Sequence, residues 1–248
     1  MRNIGLQAAC TVIGATLAGT VLAQAPPPQP AAAAQAVELY HLHFAKAAAG
    51  KLPALIDAYK HGPAPDKGDP QVDPIILRHR EGGEWDLAVI TPLGQDHTLR
   101  TDVPLPSEVQ AFNQRVAPIT DWHADSFVVG PPWDAVRPAL VPSSGAQSAV
   151  YIVSDYRSLP GHRPQLRQTL DALAKDAAGR SVLFSHAEGG PWNFVDVVRY
   201  DSWADLGQQG APPGRPAPQP EAGLQLREHM AVHHDTVAVY VGGGEARK

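Results

Sequence analysis

Residues 37–44 (VELYHLHF) form a β-prone run in which apolar and polar positions alternate, and residues 149–156 (AVYIVSDY) read the same way. Each run is followed by apolar residues at helical spacing: Leu52, Leu55, Ile56 and Tyr59 in the first case, Leu166, Leu170 and Leu173 in the second. Next come paired short strands about a glycine-bearing turn. Residues 75–80 and 85–91 flank Glu81-Gly82-Gly83-Glu84, and residues 181–186 and 192–200 flank Gly189-Gly190. Residues 107–116 and 221–231 have helical character, and 127–129 and 237–241 complete each series as a last strand. Each half therefore predicts the order β-α-β-β-α-β, a ferredoxin-like unit.

The halves also share side chains. His79-Arg80-Glu81-Gly82-Gly83-Glu84-Trp85-Asp86-Leu87 returns as His186-Ala187-Glu188-Gly189-Gly190-Pro191-Trp192-Asn193-Phe194, the pattern H-x-E-G-G-x-W-D/N-L/F at an offset of 107. His123-Ala124-Asp125-Ser126 returns as His233-His234-Asp235-Thr236, the pattern H-x-D-S/T at an offset of 110. Two motifs in the same order at nearly the same offset identify an internal duplication. Helices cover only one face of a four-stranded sheet, so the other face needs a partner, and a second copy supplies one. In element order and duplication the chain resembles the dimeric α+β barrel superfamily in tandem, single-chain form. That resemblance implies an α+β fold of two ferredoxin-like (βαββαβ) repeats, packed sheet to sheet as one barrel around a central cavity.

Repeat 1 is placed at residues 37–141, repeat 2 at 148–241 with a Pro/Gly-rich insert at 207–220, and a tail at 242–248. Ahead of them, Arg2 and the uncharged stretch 4–22 ending in Val21-Leu22-Ala23 have the form of a secretory signal, residues 1–23. A Pro/Ala tether fills 24–36. The expectation is a periplasmic or secreted protein with no stable membrane insertion after signal removal. Cleavage would take away Cys10, the one cysteine, which excludes disulfides, a thiol nucleophile and thiolate metal sites. Twenty Lys+Arg against 25 Asp+Glu, with no basic run, argue against nucleic acid as a partner.

Strand parity puts His79 with Ile75 and Leu77, and His186 with Val182 and Phe184, on the apolar face beside the hairpin. They are the candidate catalytic acid/base residues inside the barrel, with Glu81 and Glu188 as tautomer-setting carboxylates. The plain alternative is a pair of polar contacts pinning each hairpin. Trp85 and Trp192 are expected in the core or cavity wall, and the glycines in turn geometry. His123/Asp125 and His233/Asp235 read first as turns before the last strand, and otherwise as pairs facing a ligand. The β2–β3 hairpin and the start of β4 are expected at opposite ends of a sheet, which leaves His79 and His123 apart within one copy.

His41 and His43 form an H-x-H that points two imidazoles to one side, a weak metal alternative because spacing fixes no carboxylate partner. Tyr40 and Phe44 then lie on the opposite face, and copy two has Val153 and Asp155, or their neighbours, in place of the histidines. The chain carries no G-x-S-x-G, H-E-x-x-H, P-loop or helix-opening G-x-G-x-x-G. The resemblance implies a protein that holds a small apolar or aromatic molecule, with cofactor-free oxygenation or isomerisation as its enzymatic form. Haem or a divalent metal is the alternative cofactor, as in relatives similar to chlorite dismutases. A non-catalytic stress or interaction module is the third reading, and self-association stays open.

Overall fold

The computed structural model describes residues 36–64, 70–94, 104–143, 148–176, 179–208 and 220–243. The signal segment, all but the end of the tether, and most of the insert lie outside these. Repeat 1 comprises β1 (Glu38–Ala47), α1 (Leu52–Lys60), β2 (Ile75–Glu81), β3 (Leu87–Gly94), α2 (Ser107–Val116) and β4 (Thr120–Gly130). A connecting helix follows, α3 (Trp133–Leu140). Repeat 2 comprises β5 (Val150–Ser158), α4 (Arg163–Asp176), β6 (Ser181–Gly189), β7 (Phe194–Tyr200), the short α5 (Trp203–Gly207), α6 (Pro220–His229) and β8 (Met230–Gly242).

The strands close into one antiparallel barrel in the order β1-β3-β2-β8-β5-β7-β6-β4. Two ladders join the repeats, β2 with β8 and β4 with β6. Alternation sorts the side chains. Tyr40, Leu42, Leu77, Ile90, Tyr151 and Phe184 belong to the inner cluster. Ala45, Leu87 and Val89 pack outward against Leu55 of α1, and Tyr156, Leu183 and Phe194 pack against Leu166 and Leu170 of α4. Pro53 sits in the first turn of α1, where its missing N–H removes no helical bond.

The elements expected from the sequence did not include α3, although Trp133, Val136 and Leu140 fall at helical spacing. Trp133, Val136, Ala139 and Leu140 enter the inner cluster. The hydroxyls of Tyr40 and Tyr151, matching positions of the two repeats, donate at 2.6 Å to the carbonyls of Pro131 and Leu140 on either side of this plug. Among the described residues, a void lined by Leu42, Phe44, Leu77, Ile90, Val153 and Val197 admits no more than about one water. The described residues of the inner face form one packed cluster.

Both H-x-D motifs lie inside strands, since β4 starts at Thr120 and β8 at Met230. Their outward polar residues hid the alternation that marks a strand. The register also corrects the expected geometry of the repeat. Ala45 pairs with both Leu87 and His123, so the β2–β3 hairpin and the start of β4 share one end of the sheet. At its far end β8 continues to Gly242, which pairs with Ile76, and the Tyr240 hydroxyl donates to the Gly243 carbonyl.

The duplicated motifs meet each other across the repeat junctions. Gly82 (φ +109°) lies against the backbone of Asp235, and Gly189 (φ +94°) against that of Asp125. A Cβ there would approach the carbonyl oxygens to 2.4 and 2.3 Å. The glycines thus serve close approach between repeats as well as the turn. The D/N of the pattern is an oxygen acceptor: Asp86 Oδ2 takes the Ala47 N–H at 2.8 Å, and Asn193 Oδ1 takes the Ser158 N–H at 2.7 Å. Gly82→Ala and Gly189→Ala should each lower unfolding free energy by about 2–4 kcal/mol, read from urea melts. Melts within a few tenths of a kcal/mol of the parent would show that the junctions tolerate a side chain.

Candidate functional site

The side chains of His41 and His43 leave β1 on the face opposite Tyr40, Leu42 and Phe44, toward the helix layer. On the neighbouring strand Asp125 stands directly across from His43. Asp125 Oδ1 accepts from His41 Nε2 at 2.8 Å and from His43 Nδ1 at 2.7 Å. With its Nδ1 hydrogen committed to Asp125, a neutral His43 offers Nε2 as an acceptor, and the Tyr59 hydroxyl of α1 donates to it. His123 Nε2 lies 3.4 Å from the second oxygen, Asp125 Oδ2. The rings are steadied by stacking, His41 on Phe127 at 5.2 Å and His43 on His123 at 5.3 Å between centroids.

Partial burial by itself would raise the Asp125 carboxyl. The hydrogen bonds from His41 and His43, and after them the charge these rings carry when protonated, outweigh it and hold the group far below the usual carboxylate range. Asp125 is therefore ionised at any working pH. Burial, with the Asp125 charge beside it, pushes the Tyr59 hydroxyl well above its ordinary value, so it is a neutral donor.

The second repeat is an internal control. Its register places Ile152 and Ser154, not Val153 and Asp155, where His41 and His43 stand, with Asp235 opposite Ser154. There Ser154 Oγ donates to Asp235 Oδ1 at 2.7 Å, and His233 Nε2 is 3.6 Å from Asp235 Oδ2. The same backbone thus carries a serine–aspartate contact in one copy and two imidazoles, a carboxylate and a phenol in the other.

No known family's sequence pattern matches the chain, and no curated protein matches it by sequence. Solved structures do. A candidate monooxygenase from Fusobacterium nucleatum has a TM-score of 0.58 at 8% identity, over 86% of this chain and 96% of that one. A second candidate monooxygenase, from Lactobacillus acidophilus, has a TM-score of 0.56 at 7% identity, over 85% and 97%. An anthrone oxidase-like protein has a TM-score of 0.51 at 13% identity, over 87% and 95%. The chain has the dimeric α+β barrel fold.

Within this α+β barrel the other sequence candidates fall into separate places. His79 is on the inner face, as parity predicts, with Nε2 buried and unpartnered and its ring 5.9 Å from Trp85. His186 Nε2 bonds the Gly189 carbonyl of its own hairpin. Glu81 and Glu188 are exposed on the hairpins, so neither histidine Nε2 has its glutamate as partner. Trp85 is buried against Phe44, whereas Trp192 is half-buried against His234. His79 and His123 share one end of the repeat but lie on opposite faces of its sheet. Sequence reasoning offered His41 and His43 no carboxylate, and it missed Tyr59 altogether, having used it only as a helix apolar position. The signal was present in the H-x-D motif, but the ladder that brings it opposite the H-x-H is a tertiary fact.

Asp155 is the residue that stands where Phe44 does in the first repeat. It is 7% exposed, and its Oδ1 has no partner. Burial, and then the charge of Asp235, push its carboxyl up to about 7. An unfolded aspartate titrates near about 4, so between these values the folded state binds the extra proton and stability falls as pH rises. Asp155→Asn should be more stable than the parent by about 2–4 kcal/mol at pH 8, with the gap closing toward pH 5, as measured by urea unfolding. An equal gap at both pH values would mean that the buried carboxyl titrates normally.

Proposed function

We propose that the protein is an enzyme acting on a small molecule at the helix-covered face of repeat 1, by proton abstraction of the oxidase or oxygenase type. The observation that carries this is the hydrogen-bonded chain Asp125–His43–Tyr59, present in one repeat and absent from the matching positions of the other. A duplicated fold needs the features both copies share; a group that only one copy holds is free to serve chemistry. The fold relatives designated monooxygenase and anthrone oxidase-like support the reaction class.

Asp125, kept anionic, fixes the His43 tautomer and favours its charged form once a proton arrives. His43 Nε2 is the base, and the Tyr59 hydroxyl marks where an acidic O–H or activated C–H of a substrate approaches, or relays the proton itself. The anion so formed is electron-rich, the state that dioxygen oxidises most readily. The role given to a cavity histidine passes in this reading from His79 and His186 to His43, because His43 alone of the three has a carboxylate on one ring nitrogen and a hydroxyl on the other. The reading also takes the protein as exported, on the charge and apolar pattern of residues 1–23.

Oxygen uptake with anthrone and hydroxylated aromatic relatives as probes tests the assignment. His43→Gln and Asp125→Asn should lower uptake at least about 100-fold. His79→Ala and His186→Ala, if folded, should stay within a few-fold of the parent. No uptake by the parent protein, or loss confined to the two interior variants, would refute it.

A further inference from the structure

The proton path through Asp125, His43 and Tyr59 makes no use of His41. Yet His41 Nε2 approaches the same Asp125 Oδ1 that His43 Nδ1 does, at 2.8 and 2.7 Å. A relay needs one imidazole on that oxygen, and the second calls for a different explanation. His41 Nε2, His43 Nδ1 and Asp125 Oδ1 all lie within 4.8 Å of one another, and among the described residues this is the one group of three or more such donors so placed. A shift of each N–H hydrogen to the far nitrogen of its ring would leave both imidazoles neutral and turn two nitrogen lone pairs, with the carboxylate oxygen, toward one cation.

Resting on the functional site assigned above, we propose that His41, His43 and Asp125 hold one divalent first-row transition metal, leaving a coordination position open to substrate. Imidazole and carboxylate donors without thiolate suit zinc, ferrous iron and their neighbours rather than calcium or magnesium, which favour oxygen ligands. Three protein ligands with a vacant position mark a reactive centre, since structural zinc is normally closed by four.

The surroundings fit such a centre. Both histidines come from one rigid strand and the aspartate from the strand hydrogen-bonded to it, so the backbone sets the donor spacing before any ion arrives. The Tyr59 hydroxyl sits on the other nitrogen of His43, where an outer-shell partner fixes the tautomer of a ligating imidazole. With the metal on Nδ1, His43 donates Nε2–H to the tyrosine oxygen, so a loaded site uses His43 as a ligand and takes its base from hydroxide at the open coordination position. Phe127 stacks on His41, and His123 stacks on His43 while reaching toward the outer carboxylate oxygen.

Two features make the proposal restrictive. Repeat 2 offers Ile152 and Ser154 in place of the imidazoles, so a protein with two copies of the fold should bind one ion and not two. The other close histidine pair, His162 and His229, brings its Nδ1 atoms to 3.1 Å of each other but belongs to no such three-donor group among the described residues. It provides the control.

The test uses the untagged full chain, stripped with chelator and titrated with cobalt(II), whose visible bands report coordination, and with zinc by calorimetry. One equivalent with Kd below about 10 µM is expected. Tyr59→Phe should weaken it by about 10-fold, as loss of an outer-shell partner does, and His41→Gln, His43→Gln and Asp125→Asn by more than about 100-fold. His162→Gln should bind as the parent does. Thermal stabilisation of the parent by zinc, absent in Asp125→Asn, gives a second readout where a ligand variant folds poorly. Two equivalents, no saturable binding below about 100 µM, or binding lost in His162→Gln but kept in His41→Gln would overturn the metal centre. The two readings fail separately. Oxygen uptake that survives chelation but dies in His43→Gln removes the metal and keeps the enzyme site. Cobalt bound through His41 in a protein whose uptake is untouched by His43→Gln keeps the metal and removes the enzyme reading.

Discussion

Neither four-stranded sheet can leave its inner face in water, and that constraint organises the molecule. Tyr40, Leu42, Leu77 and Ile90 from one sheet, and Tyr151, Val153, Phe184 and Val197 from the other, are buried because the sheets close on each other. Closure also pairs strand edges that would otherwise present unsatisfied N–H and C=O groups, through the β2–β8 and β4–β6 ladders. The duplicated glycines sit at these junctions, where a side chain would strike the partner repeat's backbone. The strongest repeated motif of the chain is therefore a clasp.

Closure has a consequence for chemistry. The connecting helix packs its apolar face into the inner cluster, and two matching tyrosines hold the carbonyls of Pro131 and Leu140 at its two ends. A reactive centre is displaced to the outer face of the sheet, between strand and helix. There the two repeats diverge while their backbones agree. Divergence at two matched positions, His41 for Ile152 and His43 for Ser154, converts a serine–aspartate contact into two imidazoles on one carboxylate oxygen, with the Tyr59 phenol behind. Asp125 serves both demands: its carbonyl receives the glycine of the clasp, and its carboxylate points the other way into the cluster.

Element order, the duplication and the sidedness of β1 were legible because they depend on local periodicity. His41 and His43 opposite Tyr40 and Phe44, and His79 with Leu77, follow from a period of two that no tertiary contact can alter. The H-x-D segments were harder, because strand residues that face a polar cluster lose the apolar alternation by which strands are recognised. Glycine pairs could be assigned to turns from local preference, yet their closer reason is a backbone 153 residues away for Gly82 and 64 residues away for Gly189.

The amino-acid sequence by itself determined the two ferredoxin-like units, the faces of their strands and the residue types able to do acid–base or metal chemistry. Only the tertiary structure decided which of those residues meet. Asp125 lies opposite His43 because β1 and β4 pair in one register, and a slip of one residue would turn its side chain to the interior. Register is set by the sum of long-range contacts, and no window of neighbouring residues contains it.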